Sequence, residues 1–304
     1  MANISVVITV KNEEHSLTGL FAGLERQSKL PNEVVIVDGG STDRTHHVLM
    51  QWKPPFHKVI IRKSGNRSVG RNTGILAAKN SIIALTDAGC IPARDWVKNV
   101  TAPLISKKAQ VVAGYYEANA HTPFEHAAAA YMLVMPEHVN ERNFLPATRS
   151  MALLKSAWKR VGGFDERYTW NEDYVFAHAL KKSSVKMKFI RSAVVRWLPP
   201  SNWQTWMKQI FRFAVGDTQA GIFRPKVLFM FARYTVWLLM YIWMPWIALF
   251  LIPMYFFWSI QKNWRYVRSF SAVYLLPFLQ VSSDVGVMCG SIIGMFHYVW
   301  STYL

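Results

Sequence analysis

The chain has 304 residues, 51% of them hydrophobic, with 13 Trp and a formal net charge of +17. Its two cysteines, Cys90 and Cys289, lie in different regions and exclude a disulfide framework or a cysteine-based metal cluster. The basic excess suits nucleic acid, anionic lipid or a phosphorylated substrate. Beside long apolar segments the anionic membrane surface is favoured, and no nucleic-acid partner is expected. The opening MANISVVITVKNEE lacks a basic region followed by an apolar run, so no signal peptide and a cytoplasm-facing chain are expected.

In chain order, Ser5–Val10 is a β-branched run that reads as a strand. His15–Gln27 carries Leu17, Leu20, Phe21 and Leu24 at helical spacing. Glu33–Val37 and Lys58–Ile61 read as strands, and Ser68–Lys79 as a helix holding Arg71, Asn72 and Gly74. Ile82–Leu85 is a short apolar run of the kind found in buried parallel strands. It ends at Thr86-Asp87-Ala88-Gly89-Cys90. A carboxylate at the carboxyl end of a central parallel strand is where open α/β sheets place ligand chemistry; the plainer role for Asp87 is to cap the next helix. Beyond it, the pattern predicts helix Asp95–Ser106, strand Gln110–Tyr116, helix Ala127–Val134, a loop at Glu137–Pro146 and strand Ser150–Leu154. Helices Lys155–Val161 and Asn171–Lys182 and separate strands Lys186–Ile190 and Ala193–Trp197 follow. This alternation argues an α/β fold with a doubly wound, mostly parallel sheet.

The remainder is greasier. Trp203–Val215 sets Trp203, Trp206, Ile210 and Phe213 on one face with Lys208 and Arg212 nearby, the pattern of an amphipathic helix at a membrane interface; packing on the domain is the alternative. Tyr234–Trp258 runs 25 residues without a formal charge, enough to cross the hydrocarbon layer, but holds Pro245 and Pro253 and so reads as kinked or as a hairpin. Ser269–Leu304 has one formal charge, Asp284, expected at a polar turn. Basic residues on both sides of the first run favour a hairpin with both flanks in the cytoplasm. The expected layout is a catalytic domain over 1–200, an amphipathic helix and linker over 201–226, and membrane-embedded helices over 227–304.

The segments VVITVKNEE (6–14), VDGGSTD (37–43), Arg71-Asn72-x-Gly74, TDAGC (86–90), GGFDE (162–166) and NED (171–173) occur in an order that resembles the family 2 glycosyltransferases. The resemblance covers about residues 1–216. It implies the GT-A fold, Rossmann-like with a mostly parallel sheet, a nucleotide-sugar donor with UDP as the default, and an inverting hexosyl transfer. By the same resemblance Val10, Asn12 and Glu14 line the nucleotide pocket and Asp38 binds the base or ribose. Arg71 reaches the diphosphate or organises Asp87, Asp87 binds a divalent Mg or Mn, and Asp173, with Glu172 beside it, is the base. Gln209-Ile210-Phe211-Arg212-Phe213 resembles the QxxRW signature of processive relatives with Phe213 replacing Trp, which implies a single-sugar transferase whose Gln209 and Arg212 close over the donor phosphates.

A second departure stands beside that of Phe213. Gly89 occupies the second acidic position of the family's Asp-x-Asp pattern, so Asp87 alone would hold a metal, with Arg196 or Arg71 sharing the neutralising role. Arg149 stands where relatives bind acceptor, to meet a lipid phosphate or serve as a structural cation. The membrane tail points to a lipid-linked acceptor such as a polyprenyl phosphate or a growing lipid-linked glycan, with a diacylglycerol-type lipid as a further option. Of the other classes, a dinucleotide oxidoreductase is disfavoured because VKNEE stands where a G-x-G-x-x-G belongs. A catalytically inactive nucleotide- or glycan-binding membrane module is the remaining alternative.

Overall fold

The computed structural model describes residues 2–303. They divide into two compact units: one takes the chain up to Glu117 together with Pro136–Leu198, the other takes Ala118–Met135 and the chain from Pro199 on.

The first unit opens with β1 (Ile4–Val10), α1 (Leu17–Glu25), β2 (Glu33–Asp38), α2 (Thr45–Gln51), β3 (His57–Arg62), α3 (Arg67–Ala77) and β4 (Ile82–Asp87). The apolar stripe of α1, Leu17, Leu20, Phe21 and Leu24, is buried as its spacing predicts. These strands pair in parallel, in the spatial order β3-β2-β1-β4. Their register sets Val10 opposite Asp38 and Thr9 opposite Asp87, so the carboxyl ends share one edge. Helix α3 lies hard against β1. A Cβ at Gly74 would come 2.5 Å from Val7 Cγ1, and one at Gly70 2.7 Å from Thr9 Cγ2. Only a residue without a side chain allows that approach.

The unit continues through β5 (Cys90–Pro92), α4 (Trp96–Ile105) and β6 (Val111–Ala118). The chain then passes into the second unit for α5 (Pro123–Met132), whose start is fixed by a capping box between Thr122 and Glu125. It returns for β7 (Met151–Leu154), α6 (Lys155–Arg160), α7 (Glu172–Lys182) and β8 (Met187–Trp197). Here the sheet departs from the parallel pattern. β7 pairs antiparallel with β4 and with β6, and β5 antiparallel with β8, completing the order β3-β2-β1-β4-β7-β6-β8-β5. A short apolar run such as Met151–Leu154 suits either direction, and the direction is set by the path of the chain. The two predicted strands at 186–197 form the single strand β8, and β5 was not read from the sequence.

The second unit is helical: α5 with α8 (Trp203–Gln219), α9 (Pro225–Trp243), α10 (Pro245–Val267) and α11 (Ala272–Tyr303). The uncharged run 234–258 is broken at Met244, because Pro245 cannot extend the preceding helix and pushes Met244 out of helical geometry, to φ −143° and ψ 66°. Pro225–Trp243 and Ala272–Trp300, with mean hydropathies of 1.2 and 1.4, are long and apolar enough to cross a membrane. On α8, Trp206 and Ile210 pack with Ala127 and Ala128 of α5 and Leu276 and Leu279 of α11. The inner part of its apolar face is thus covered by its own unit, while Trp203 stays 38% exposed.

Asp284 corrects the expectation of a polar turn. It sits inside α11, 1% exposed. Arg233 Nη2 (2.7 Å) and Tyr234 Oη (2.9 Å) of α9 donate to its carboxylate, as do Tyr255 Oη of α10 and Gln280 Nε2 (3.0 Å), one turn earlier on α11. A carboxylate persists at such a position because neighbouring helices satisfy it, and here it ties three helices together.

Gly286, Gly290 and Gly294 recur every fourth residue on α11 and let it approach α8 closely. A Cβ at Gly290 would lie 2.6 Å from Phe211 O, and one at Gly294 would run into Val215 O. Gly290→Leu is therefore expected to lower the stability of the detergent-solubilised protein by about 1–3 kcal/mol, as overpacking does. Gly286→Ala presses the flexible end of Met207, 3.0 Å away, and Ile210 Cγ2, 3.3 Å away, but no backbone, and gains helix propensity, so its effect should be much smaller. Equal effects from the two substitutions would refute the close-packed seam.

Candidate active site

The first unit gathers charged side chains where β4 ends. Arg71, on α3, is buried and pinned between two carboxylates: Nη1 donates to Glu172 Oε1, and Nη2 to Asp87 Oδ1 at 3.0 Å. The next residue has a separate task. Asn72 Oδ1 accepts from Phe164 N (2.9 Å) and Trp158 Nε1 (3.2 Å), and its Nδ2 donates to Phe164 O (2.8 Å) and Glu166 Oε1 (2.9 Å). This holds a turn in which Gly162 and Gly163 take φ of 80° and 83°. Phe164, so placed, stacks on Phe176 of α7 with ring centres 4.1 Å apart. Arg71-Asn72-x-Gly74 thus aims a guanidinium, anchors the GGFDE turn and seats the helix on β1.

Helix α7 delivers the acidic pair. Its N-cap, Asn171, is left-handed at φ 56°, so Glu172 and Asp173 open the first turn, where the helix dipole favours negative charge. Their environments differ. Glu172 is buried on Arg71. The Asp173 carboxyl is pushed above its ordinary value by burial and by Glu172, which outweigh Arg71 and Arg149. Asp87 goes the other way: burial would raise it, but Arg71, then Arg149 and Arg67, hold it below the usual range. One carboxylate kept anionic beside a more basic one is the division of labour expected of an acid–base site.

Arg149 and Arg67 complete this ring of charge. Arg149 lies on the short 3-10 turn Thr148–Ser150 just before β7. Its guanidinium stands 5.2 Å from the ring centre of Tyr116 and 4.8 Å from that of Trp197. Arg67 opens α3 one turn before Arg71 and is exposed. Sequence reasoning passed over Arg67, although its spacing of four residues from Arg71 on one helix was a usable signal. Arg196, expected to share in neutralising charge, is an exposed residue of β8 that faces Glu117 at 3.5 Å. Arg71 has both its Nη atoms on carboxylates.

The loops after β1 and β2 lock onto each other. Asn12, left-handed at φ 55°, donates its N–H to Ser41 Oγ (3.0 Å), and its side chain accepts from Thr42 N (2.8 Å). Glu14 Oε2 accepts from Arg44 N at 2.9 Å. Val10 is buried in β1 opposite Asp38. Asp38 is wholly buried: Oδ1 accepts from Gly40 N, Ser41 N and Ser41 Oγ, and Oδ2 faces His46 Nδ1 at 3.4 Å. Its first work is therefore to hold the turn. Gln209 and Arg212 belong to α8 of the second unit.

With this geometry in view, comparison with known proteins places the chain. The sequence model described as glycosyl transferase family 2 matches residues 5–164, and that of glycosyl transferase family group 2 matches residues 98–300. The chain belongs to glycosyl transferase family 2. Glycosyltransferase AglE of Haloferax volcanii is 24% identical over 71% of this chain and 73% of its own length. An undecaprenyl-phosphate 4-deoxy-4-formamido-L-arabinose transferase of Pectobacterium carotovorum is 40% identical over 25% of this chain and 24% of its own. Among solved structures, the mannosyltransferase PcManGT of Pyrobaculum calidifontis, in complex with GDP-Man and Mn2+, aligns with a TM-score of 0.59 at 16% identity, over 99% of this chain and 88% of that one. S. aureus TarS 1-349 in complex with UDP aligns with a TM-score of 0.52 at 15% identity, over 99% and 92%. These likenesses establish the GT-A fold.

For this family 2 glycosyltransferase the question of a metal turns on the donor set. Asp87 has one oxygen engaged by Arg71, Gly89 contributes no ligand, and among the described residues no three His, Cys, Asp or Glu side chains cluster to hold a metal ion. Divalent cations at phosphate sites draw on one or two carboxylates and the substrate itself. The residues present do not fit a metal site supplied by the protein alone.

Proposed function

We propose that this chain moves one sugar from a nucleotide-diphosphate sugar to a hydroxyl of a lipid-linked acceptor at a membrane, with inversion of the anomeric centre. The observation that carries the reading is Arg71, which joins Glu172, the neighbour of Asp173, to Asp87 at the end of β4, with the Asp173 carboxyl held above its ordinary value and Asp87 below it. A hydroxyl nucleophile needs a base, and Asp173 is suited to take its proton in the transition state. Attack from the face opposite the leaving diphosphate gives inversion. In this reading Val10, Asn12 and Glu14 border the nucleotide, and Asp38 shapes the base or ribose site through the turn it holds.

The lipid character of the acceptor is supported by the names of relatives, which include the undecaprenyl-phosphate transferase above and a beta-monoglucosyldiacylglycerol synthase of Nostoc, and the hydroxyl as nucleophile by the presence of Asp173 as a base. The second unit adds an apolar cavity of about 880 Å³ lined by Trp203, Met207, Phe256, Phe257, Tyr274 and Phe278, suited to an acyl or isoprenoid chain. Its apolar helices and basic flanks favour a membrane-bound protein with the catalytic unit facing the cytoplasm.

Incubating the detergent-purified protein with labelled UDP-sugars or GDP-mannose, and with diacylglycerol or a polyprenyl-diphosphate-linked saccharide, tests the reading. One sugar should appear on the lipid fraction, in the anomeric configuration opposite to the donor's. Nucleotide binding without turnover of any donor would instead establish the inactive binding module, which the absent second acidic residue favours.

A further inference from the structure

The family's Asp-x-Asp pattern is broken at Gly89, yet nothing crowds that position: a Cβ built there meets no atom within 4 Å. The acidic side chain is thus missing for a reason other than space. The same neighbourhood holds cations. Met151 pairs with Leu85 in antiparallel register, so the chain just before it runs alongside the last residues of β4 and brings Arg149 to the level of Asp87. Arg67 lies on the same helix as Arg71, one turn earlier at the start of α3.

Neither guanidinium is in an ion pair among the described residues, whereas Arg71 is in two. Arg149 is also held in place: Tyr116 and Trp197 cradle its guanidinium by cation–π contact. A cation fixed beside a carboxylate without being neutralised by it is suited to a further anion, and a guanidinium fork matches phosphate oxygens geometrically.

We propose that Arg149 and Arg67 hold the diphosphate of the donor, supplying the positive charge that a cation bound between two carboxylates would otherwise bring, so that the nucleoside diphosphate binds without a divalent metal. The inference rests on the transferase reading above and specifies its donor site. In the reaction, the bond from the anomeric carbon to the diphosphate oxygen breaks with its electron pair left on that oxygen, where the arginines stabilise it. The acceptor oxygen bonds to the anomeric carbon, and its proton passes to Asp173. Preorganised positive charge at the site of developing negative charge is the usual source of such stabilisation.

Calorimetric titration of the full-length protein in detergent with UDP and with GDP, in EDTA and in Mn2+, tests this. Binding in EDTA is expected within about threefold of that in Mn2+, and Arg149→Gln should weaken it by about tenfold, the scale of one charge-assisted hydrogen bond. Uridine and guanosine, which lack phosphate, should be unaffected by the substitution. Arg67→Gln changes an exposed side chain and guards against a folding defect in the Arg149 variant; it should weaken the diphosphate in the same sense. Gly89→Asp, which has room for its side chain, should make binding respond to Mn2+. Wild-type binding that requires Mn2+, or arginine variants that bind like wild type, would overturn the inference and leave the transferase reading intact. Failure of both nucleotides to bind in either condition would overturn the transferase reading and the inference with it.

Discussion

Asp173→Asn is expected to lower kcat by about 100- to 10,000-fold, the contribution of a positioned general base, with little change in KM for the donor. The substitution keeps the shape of the side chain and removes a charge that sits against Glu172, so thermal stability should not fall. The pH profile gives an independent check. A base works deprotonated, and the Asp173 carboxyl lies above its ordinary value of 3.8, so the acid limb of kcat/KM should fall at a higher pH than an ordinary aspartate would give. Below that limb the wild type approaches the variant. Wild-type turnover by the Asp173→Asn enzyme would remove Asp173 from the chemistry and reduce it to a first-turn residue of α7.

Arg71→Met should produce the largest loss of stability in the first unit, about 3–5 kcal/mol, because it leaves the buried Glu172 carboxylate without its partner. Lysine is not expected to rescue it, since one ammonium cannot reproduce the fork that reaches Glu172 and Asp87 together. The pH dependence has a definite sign. Asp87 is held below 3.8 in the folded protein chiefly by Arg71 against the opposing effect of burial, so this contribution is present above the unfolded value and lost as pH falls through the folded one. The deficit of the variant should be widest near neutrality and narrow in acid, where the orphaned carboxylates become neutral. Denaturant unfolding at pH 7 and at a pH below 3.8, with Glu172→Gln in a double-mutant cycle, measures this. Additive effects of the two substitutions would show that Arg71 and Glu172 do not act as a pair.

Features with local causes are legible in the residues alone. The β-branched runs at Ile4–Val10 and Glu33–Asp38 and the stripe of α1 declare strand and helix through side-chain period. The position of Asp87 at the end of β4 follows from an apolar run that stops abruptly, and Pro245 breaks the long uncharged run through its own backbone chemistry. Much of the candidate site was legible in the same way, because Asp87 and the Glu172–Asp173 pair lie in short ordered motifs.

Only the tertiary structure decided what depends on partners distant in the chain. Met151–Leu154 has no period of its own to fix its direction, and its antiparallel place against β4 follows from the route the chain takes to reach it. Arg71 has the same composition-level signature whether it meets a phosphate or a carboxylate. Glu172, 101 residues away, accepts from its Nη1. The interface pattern of α8 says that one face is apolar but not what covers it, and Ala127, Ala128, Leu276 and Leu279 supply that answer. Asp284 looked like a turn because an isolated carboxylate in an apolar run is costly, and it becomes a helix residue because Arg233, Tyr234, Tyr255 and Gln280 converge on it. Period and propensity act between neighbours in sequence, whereas the free energy of a buried charge is set by the groups that surround it in space.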